Sequence, residues 1–81
     1  MFNVGDTVKL TDKGVRELTD AAGLTEVDTY GEGTVKVVLG EEGNKLYGVE
    51  FVDGDAEAQL LGLLFIGTVG LPMLVDEIEH A

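Results

Sequence analysis

The sequence contains no cysteine, serine or tryptophan, and it contains only one proline and one histidine. Without cysteine, neither disulfides nor thiolate metal sites can support the core. Serine and cysteine are also the usual nucleophiles of covalent catalysis. The histidine, His80, lies next to the last residue, where we expect a frayed end and no fixed partner for a general base. We therefore predict a protein that is not an enzyme and that uses no cofactor.

Positive charge is also scarce. The chain has 5 Lys and Arg residues against 16 acids, which gives a net charge of −11. Nucleic-acid binding depends largely on Lys and Arg that neutralise phosphates, and anionic membranes attract the same residues, so we expect neither as a partner. All the cations lie at or before Lys45, and the seven acids that follow have no cation among them. The charge favours a protein partner with a basic surface, or serves solubility alone.

No hydrophobic run is long enough to cross a bilayer. Residues 60–75 form an uncharged, mostly apolar segment of 16 residues that three glycines and a proline interrupt, and a membrane helix needs about 20. The first residues show neither the basic start nor the apolar centre of a signal peptide. We expect a cytoplasmic protein. We also expect one domain over residues 1–81, because so short a chain has no material for a second core.

The first part of the chain predicts a strand followed by a short helix. Residues 6–10 alternate between apolar and polar side chains, which is typical of a half-buried strand. A helix is expected over residues 13–22, with Thr11 and Asp12 as its N-terminal caps. Gly23 is placed to end that helix in the left-handed conformation.

The rest of the chain predicts further β-structure. The β-branched, alternating segment 33–39 and the segment 45–52 flank the turn sequence GEEGN and predict a β-hairpin. We expect a buried strand over 59–66, a short helical turn over 71–73 and a closing strand over 74–79. About five short strands joined by tight glycine-rich turns favour a small, strongly bent antiparallel barrel.

Three motifs occupy the first two thirds of the chain: FNVGDTVKLT, GEGTVKVV and YGVEFVDG. They are similar to the small SH3-like barrels related to KOW and Tudor-like domains, which open with a GD-x-V strand and continue through a G-x-G-x-V strand to an aromatic-rich third strand. The resemblance covers residues 2–54. It implies a mainly β, five-stranded SH3-like barrel with a short helix in the loop after the first strand. Short proteins of bacterial or phage origin often look like this.

The resemblance also implies roles for individual residues. Asp6 would turn the chain through a side-chain hydrogen bond to the backbone. Gly31 and Gly33 would let the backbone bend into the second strand, and Tyr47 and Phe51 would share one face of the third. The chain departs from the family in two respects, since it lacks the aromatic groove that grips proline-rich peptides and most of the basic residues that KOW domains use on RNA.

One acidic segment superficially resembles a calcium loop. Asp53, Asp55 and Glu57 place carboxylates at alternate positions, as the start of such a loop does. An EF-hand requires glycine at its sixth position and glutamate at its twelfth, which here are Ala58 and Leu64. The pattern fails, and we predict no metal site.

Two features are candidates for protein binding. The first is a set of acids at turns, formed by Glu41, Glu42, Asp53, Asp55 and Glu57. The second is the apolar segment 60–74, of which one strand buries only a part. The remainder would be a contact surface that includes Leu64, Phe65 and Met73.

These features lead to several hypotheses. The first is a non-catalytic protein-binding module, encoded by a phage or mobile element and acting on a host machine. The second is an inhibitor whose acids imitate nucleic acid in the basic groove of an enzyme. The third is a virion or assembly component that forms a homo-oligomer through residues 60–74. The Tudor-like opening also leaves a transcription regulator that binds RNA polymerase, and solubility alone remains the alternative for the acids.

Overall fold

A computed structural model describes residues 1–81 and contains one five-stranded antiparallel sheet. The strands are β1 (Thr7–Leu10), β2 (Gly33–Glu41), β3 (Asn44–Phe51), β4 (Leu71–Met73) and β5 (Ile78–His80). Their spatial order is β4-β3-β2-β1-β5, so β4 and β5 form the two edges of an open sheet. The predicted mainly β class is confirmed. No helix has the length and apolar character that a membrane span requires.

A helical segment follows β1, as predicted. It comprises α1 (Asp12–Arg16) and a continuing π-helical turn (Glu17–Ala21). Thr11 caps its start, because the Thr11 hydroxyl accepts a hydrogen bond from the Gly14 N–H at 3.2 Å. Gly23 ends it with a φ of +70°, a left-handed conformation that favours glycine.

The predicted hairpin is also present. Strands β2 and β3 pair continuously from Gly33 opposite Phe51 to Glu41 opposite Asn44, with one bulge between Val35 and Val37. The turn itself needs only the two residues after Glu41, so the strands extend further into the GEEGN sequence than expected. The alternation of apolar and polar side chains and the choice of turn residues are both local patterns, so the sequence alone predicts this hairpin.

The buried strand expected over residues 59–66 is wrong. A second helix, α2 (Ala56–Phe65), occupies this position. Asp55 caps it, and its carboxylate accepts a hydrogen bond from the Ala58 N–H at 2.8 Å. The segment AEAQLLGLLF contains no β-branched residue and is rich in Ala, Leu, Glu and Gln, all strong helix formers. Local propensity and the cap therefore outweigh the strand-like run of apolar residues.

The helical turn expected over residues 71–73 is wrong as well. These residues form β4, which pairs with β3 through Tyr47 opposite Met73 and Val49 opposite Leu71. Pro72 is tolerated here because β4 is an edge strand, where a missing N–H costs no ladder hydrogen bond.

The closing strand is shorter and later than the one expected over residues 74–79. Residues 74–77 form a turn in which the Leu74 N–H donates to the Glu77 carboxylate at 2.7 Å. Strand β5 begins only at Ile78 and includes His80, which is not frayed. The His80 ring lies against Phe2, with ring centroids 4.7 Å apart.

The core lies on one face of the sheet, where Leu18 of the π-helical turn and Val27 and Tyr30 of the following loop pack against it. Tyr47, Val49 and Phe51 alternate along β3 and are fully buried or nearly so, and the two aromatic residues share one face of the strand, as the resemblance implied. Asp6 also acts as implied, since its carboxylate accepts a hydrogen bond from the Asn3 N–H at 2.8 Å. The full cluster consists of Phe2, Val8, Leu18, Val27, Tyr30, Val35, Tyr47, Val49, Phe51, Leu71, Met73 and Ile78.

Candidate interaction surface

Helix α2 contacts the rest of the protein through a polar side chain. Gln59 is only 5% exposed. Its Oε1 accepts a hydrogen bond from the Phe51 N–H at 2.6 Å, and its Nε2 donates to the Phe51 carbonyl at 3.2 Å. Phe51 pairs with β2 on its other side, and β4 pairs with β3 only as far as Val49. The Gln59 amide therefore takes the place of a neighbouring strand at the end of β3.

The second contact of α2 requires a residue without a side chain. Gly62 is buried where the helix passes over the loop that leads to β4. A Cβ at this position would lie 2.5 Å from the Thr68 carbonyl oxygen and closer still to that of Gly70. The Gly70 N–H also donates to the Gln59 carbonyl at 2.9 Å. Close backbone packing and hydrogen bonds thus hold the helix, with Ile66 as the buried apolar residue at its end.

The large apolar side chains of α2 face solvent. Their exposure ranges from 52% for Leu61 to 79% for Leu64. We call this surface the apolar face of α2, and it consists of Leu60, Leu61, Leu63, Leu64 and Phe65. In a helix, residues three and four apart are neighbours, so these side chains form one contiguous surface. Monomeric proteins seldom expose an apolar patch of this kind, which usually marks a binding site.

Sequence reasoning identified only part of this surface. Leu64 and Phe65 lie on it as expected, whereas Met73 is fully buried in the core and has no surface for a partner. Leu60, Leu61 and Leu63 were not singled out, because a strand would have buried some of them. The Asp55 cap and the strong helix formers of residues 56–65 would have indicated a helix, although a segment that is apolar all round does not reveal which side of it faces solvent.

The structure divides the predicted acidic residues between two places. Asp53, Asp55 and Glu57 are exposed and surround the N-terminus of α2, where the helix dipole favours negative charge. Glu41 and Glu42 lie at the tip of the hairpin, seven residues of β3 away from Phe51, or about 24 Å at the rise of a β-strand. The five acids therefore do not form one surface.

No cation lies close to α2 in the sequence, and most cations already have acidic partners. The cation nearest in sequence is Lys45, at the far end of β3. Three ion pairs engage the other lysines, namely Lys9 with Glu79, Lys13 with Asp76 and Lys36 with Glu50. The charged residues in α2 and in the turn before it are all acids, and no cation near them in the sequence offsets their charge.

The structure contains no group of three or more His, Cys, Asp or Glu side chains arranged to hold a metal ion. Tyr30 is buried with its hydroxyl near the backbone of Asp55, at the start of α2, and this hydroxyl makes no hydrogen bond of standard geometry. Burial raises the pKa of this hydroxyl, so it stays protonated at neutral pH.

Comparison of the chain with protein-family models, with curated proteins and with solved structures found no match.

Proposed function

We propose that this protein is a non-catalytic, SH3-like protein-binding module that docks through the apolar face of α2. Three features support the SH3-like part of the proposal: a helix-containing loop between the first two strands, a hairpin of the next two, and Tyr47 and Phe51 on the buried face of the third. Such barrels serve many tasks, so the binding role rests on the surface and not on the fold.

The observation that carries the proposal is the inverted packing of α2. The helix buries a glutamine and a glycine while five large apolar side chains remain exposed. A fully buried Leu or Phe contributes about 1.5–3 kcal/mol, so covering these partly exposed side chains would contribute about 5 kcal/mol in total. A partner that covers the face would therefore gain a substantial part of its affinity there.

The test replaces the centre of the apolar face without disturbing the helix. In the double variant Leu64→Gln, Phe65→Gln, both new residues are polar and have adequate helix propensity. We expect circular dichroism and the unfolding midpoint to stay near those of the wild type, because the replaced side chains are exposed. Proteins captured from the source cells by the wild type should be lost from the variant, as measured by quantitative mass spectrometry.

The matched control is Val4→Gln, which replaces an exposed apolar residue outside α2. It should retain the same captured proteins as the wild type. If the double variant also retains them all, α2 is not the docking surface.

Self-assembly through residues 60–74 is the second candidate, because another copy of the chain would cover the same apolar face. Light scattering separates the two candidates: self-assembly requires a mass above one chain that the Leu64→Gln, Phe65→Gln variant loses. Nucleic-acid mimicry gains less support, since the predicted acids lie at two ends of the hairpin. Action on a host machine, with a phage or mobile-element origin, stays a prediction.

A further inference from the structure

The charge and shape around α2 point to one kind of occupant, and this inference rests on the docking role proposed above. We propose that the apolar face of α2 binds an amphipathic helix of another protein, one that carries Lys or Arg beside its own apolar stripe.

The shape of the face suits a helix. The apolar face occupies the last six of the ten residues of α2, a convex ridge about 9 Å long. Leu60 and Leu64 stand four residues apart, as do Leu61 and Phe65, which gives two parallel rows of side chains. Helices pack by placing such rows into the grooves between the rows of a second helix. An apolar stripe of about two turns on the partner would therefore cover these two rows.

The charge around the face calls for cations on that partner. Asp55 and Glu57 lie at the first turn of α2 and Asp53 lies in the turn before it, and all three are exposed. The chain supplies no Lys or Arg after Lys45 to balance them. Opposite charges at the rim of an interface speed association and fix the orientation of the partner. A basic helix would satisfy these acids while its apolar stripe covers the leucines.

A second copy of the chain is a poorer occupant. Each copy has a net charge of −11, so two copies repel one another. The apolar face supplies a few hundred Å², whereas a standard stable interface takes about 800 Å² from each partner. Two identical copies would bring acidic rims together, and their repulsion cannot compensate for the small apolar area. A basic partner would instead add attractive charge pairs at the rim. An anionic bilayer is disfavoured by the same acids.

The experiment uses a model peptide and the intact protein. The probe is a fluorescein-labelled peptide of about 18 residues, or five helical turns, made of Leu and Lys at helical spacing. A peptide with Glu in place of Lys is its control. Fluorescence anisotropy should show binding of the Leu/Lys peptide only. Raising NaCl from about 0.05 M to about 0.5 M should weaken that binding, because salt screens the charges.

Variants then separate the apolar contribution from the acidic one. Leu64→Gln, Phe65→Gln should raise the Kd for the Leu/Lys peptide about tenfold or more. Glu57→Gln should raise it about twofold to threefold, and its matched control Glu42→Gln, at the hairpin tip, should leave it unchanged. If the Leu64→Gln, Phe65→Gln variant binds the peptide as well as the wild type does, the attraction is only between net charges and the proposal is wrong.

Sedimentation equilibrium provides the other decisive result. A dimer that strengthens with salt and dissociates in the Leu64→Gln, Phe65→Gln variant would make a second copy the occupant and overturn the basic-helix proposal. The docking role of α2 would survive that outcome. It would fail only if no binding, whether to another protein or to another copy, depends on the apolar face.

Discussion

Gln59 decides how α2 is attached to the sheet. Its side-chain amide hydrogen-bonds to both backbone groups of Phe51, so the amide is satisfied although it is buried. A buried polar group costs free energy unless it is hydrogen-bonded, and here the Gln59 amide satisfies the Phe51 N–H and the Phe51 carbonyl together. One glutamine therefore allows α2 to lie on the protein without placing its leucines in the core.

Replacing Gln59 by leucine should lower the free energy of unfolding by about 2 kcal/mol or more, although leucine is more apolar and favours helices. The reason is that the Phe51 N–H and carbonyl would stay buried without partners. Urea denaturation measures the change. Leu60→Ala, which alters an exposed residue of the same helix, should change stability by less. A Gln59→Leu protein as stable as the wild type would contradict this account.

At the scale of elements, α2 shows why an apolar run is ambiguous. The sequence LLGLLF is apolar all round, so no helical periodicity distinguishes it from a buried strand. Its helical state follows from the Asp55 cap and from the fit of Gly62 against the loop before β4. The leucines face outward because the side of the helix that meets the rest of the protein is occupied by Gln59, Gly62 and the partly buried Ala58.

The fit at Gly62 predicts an unusual response to alanine. In an ordinary helix, Gly→Ala stabilises by about 1 kcal/mol. Here the added Cβ would meet the carbonyl oxygens of Thr68 and Gly70, so we expect Gly62→Ala to lower the free energy of unfolding by about 1–3 kcal/mol. Thermal and urea unfolding measure it, with the exposed Leu61→Ala as control. A more stable Gly62→Ala protein would show that α2 does not pack closely on this loop.

At the scale of the whole molecule, lysines near the start of the chain form ion pairs with acids near its end. Lys9 and Lys13, near the start, pair with Glu79 and Asp76, near the end, at 3.9 Å and 2.6 Å. The Thr11 hydroxyl also donates to the Asp76 carbonyl at 2.8 Å. The hydrogen bond from Lys13 lowers the pKa of the Asp76 carboxyl, and the same bond raises the pKa of Lys13.

These shifts set a direction for the dependence of stability on pH. The pKa of Asp76 is lower in the folded protein than its ordinary value of 3.8, so its contribution is present above that value and is lost as pH falls below it. In Lys13→Met, the Asp76 pKa measured by NMR should rise toward 3.8, and the loss of stability in acid should become shallower. Lys36→Met, which breaks a separate pair, should leave Asp76 unchanged. An unchanged Asp76 pKa in Lys13→Met would contradict the pairing.

Local patterns in the sequence were enough to predict the β2–β3 hairpin, the Thr11 cap and the end of the first helix at Gly23, because each depends on residues only a few positions apart. Tertiary structure alone decided the state of residues 71–73 and buried Met73 in the core, whereas the Asp55 cap and local propensity already favour a helix over residues 56–65. The fate of residues 71–73 depends on β4 pairing with β3, and such a contact leaves no periodic signal in the sequence. The apolar composition of residues 60–74 indicated a candidate contact surface, whereas packing determined which of their side chains face solvent.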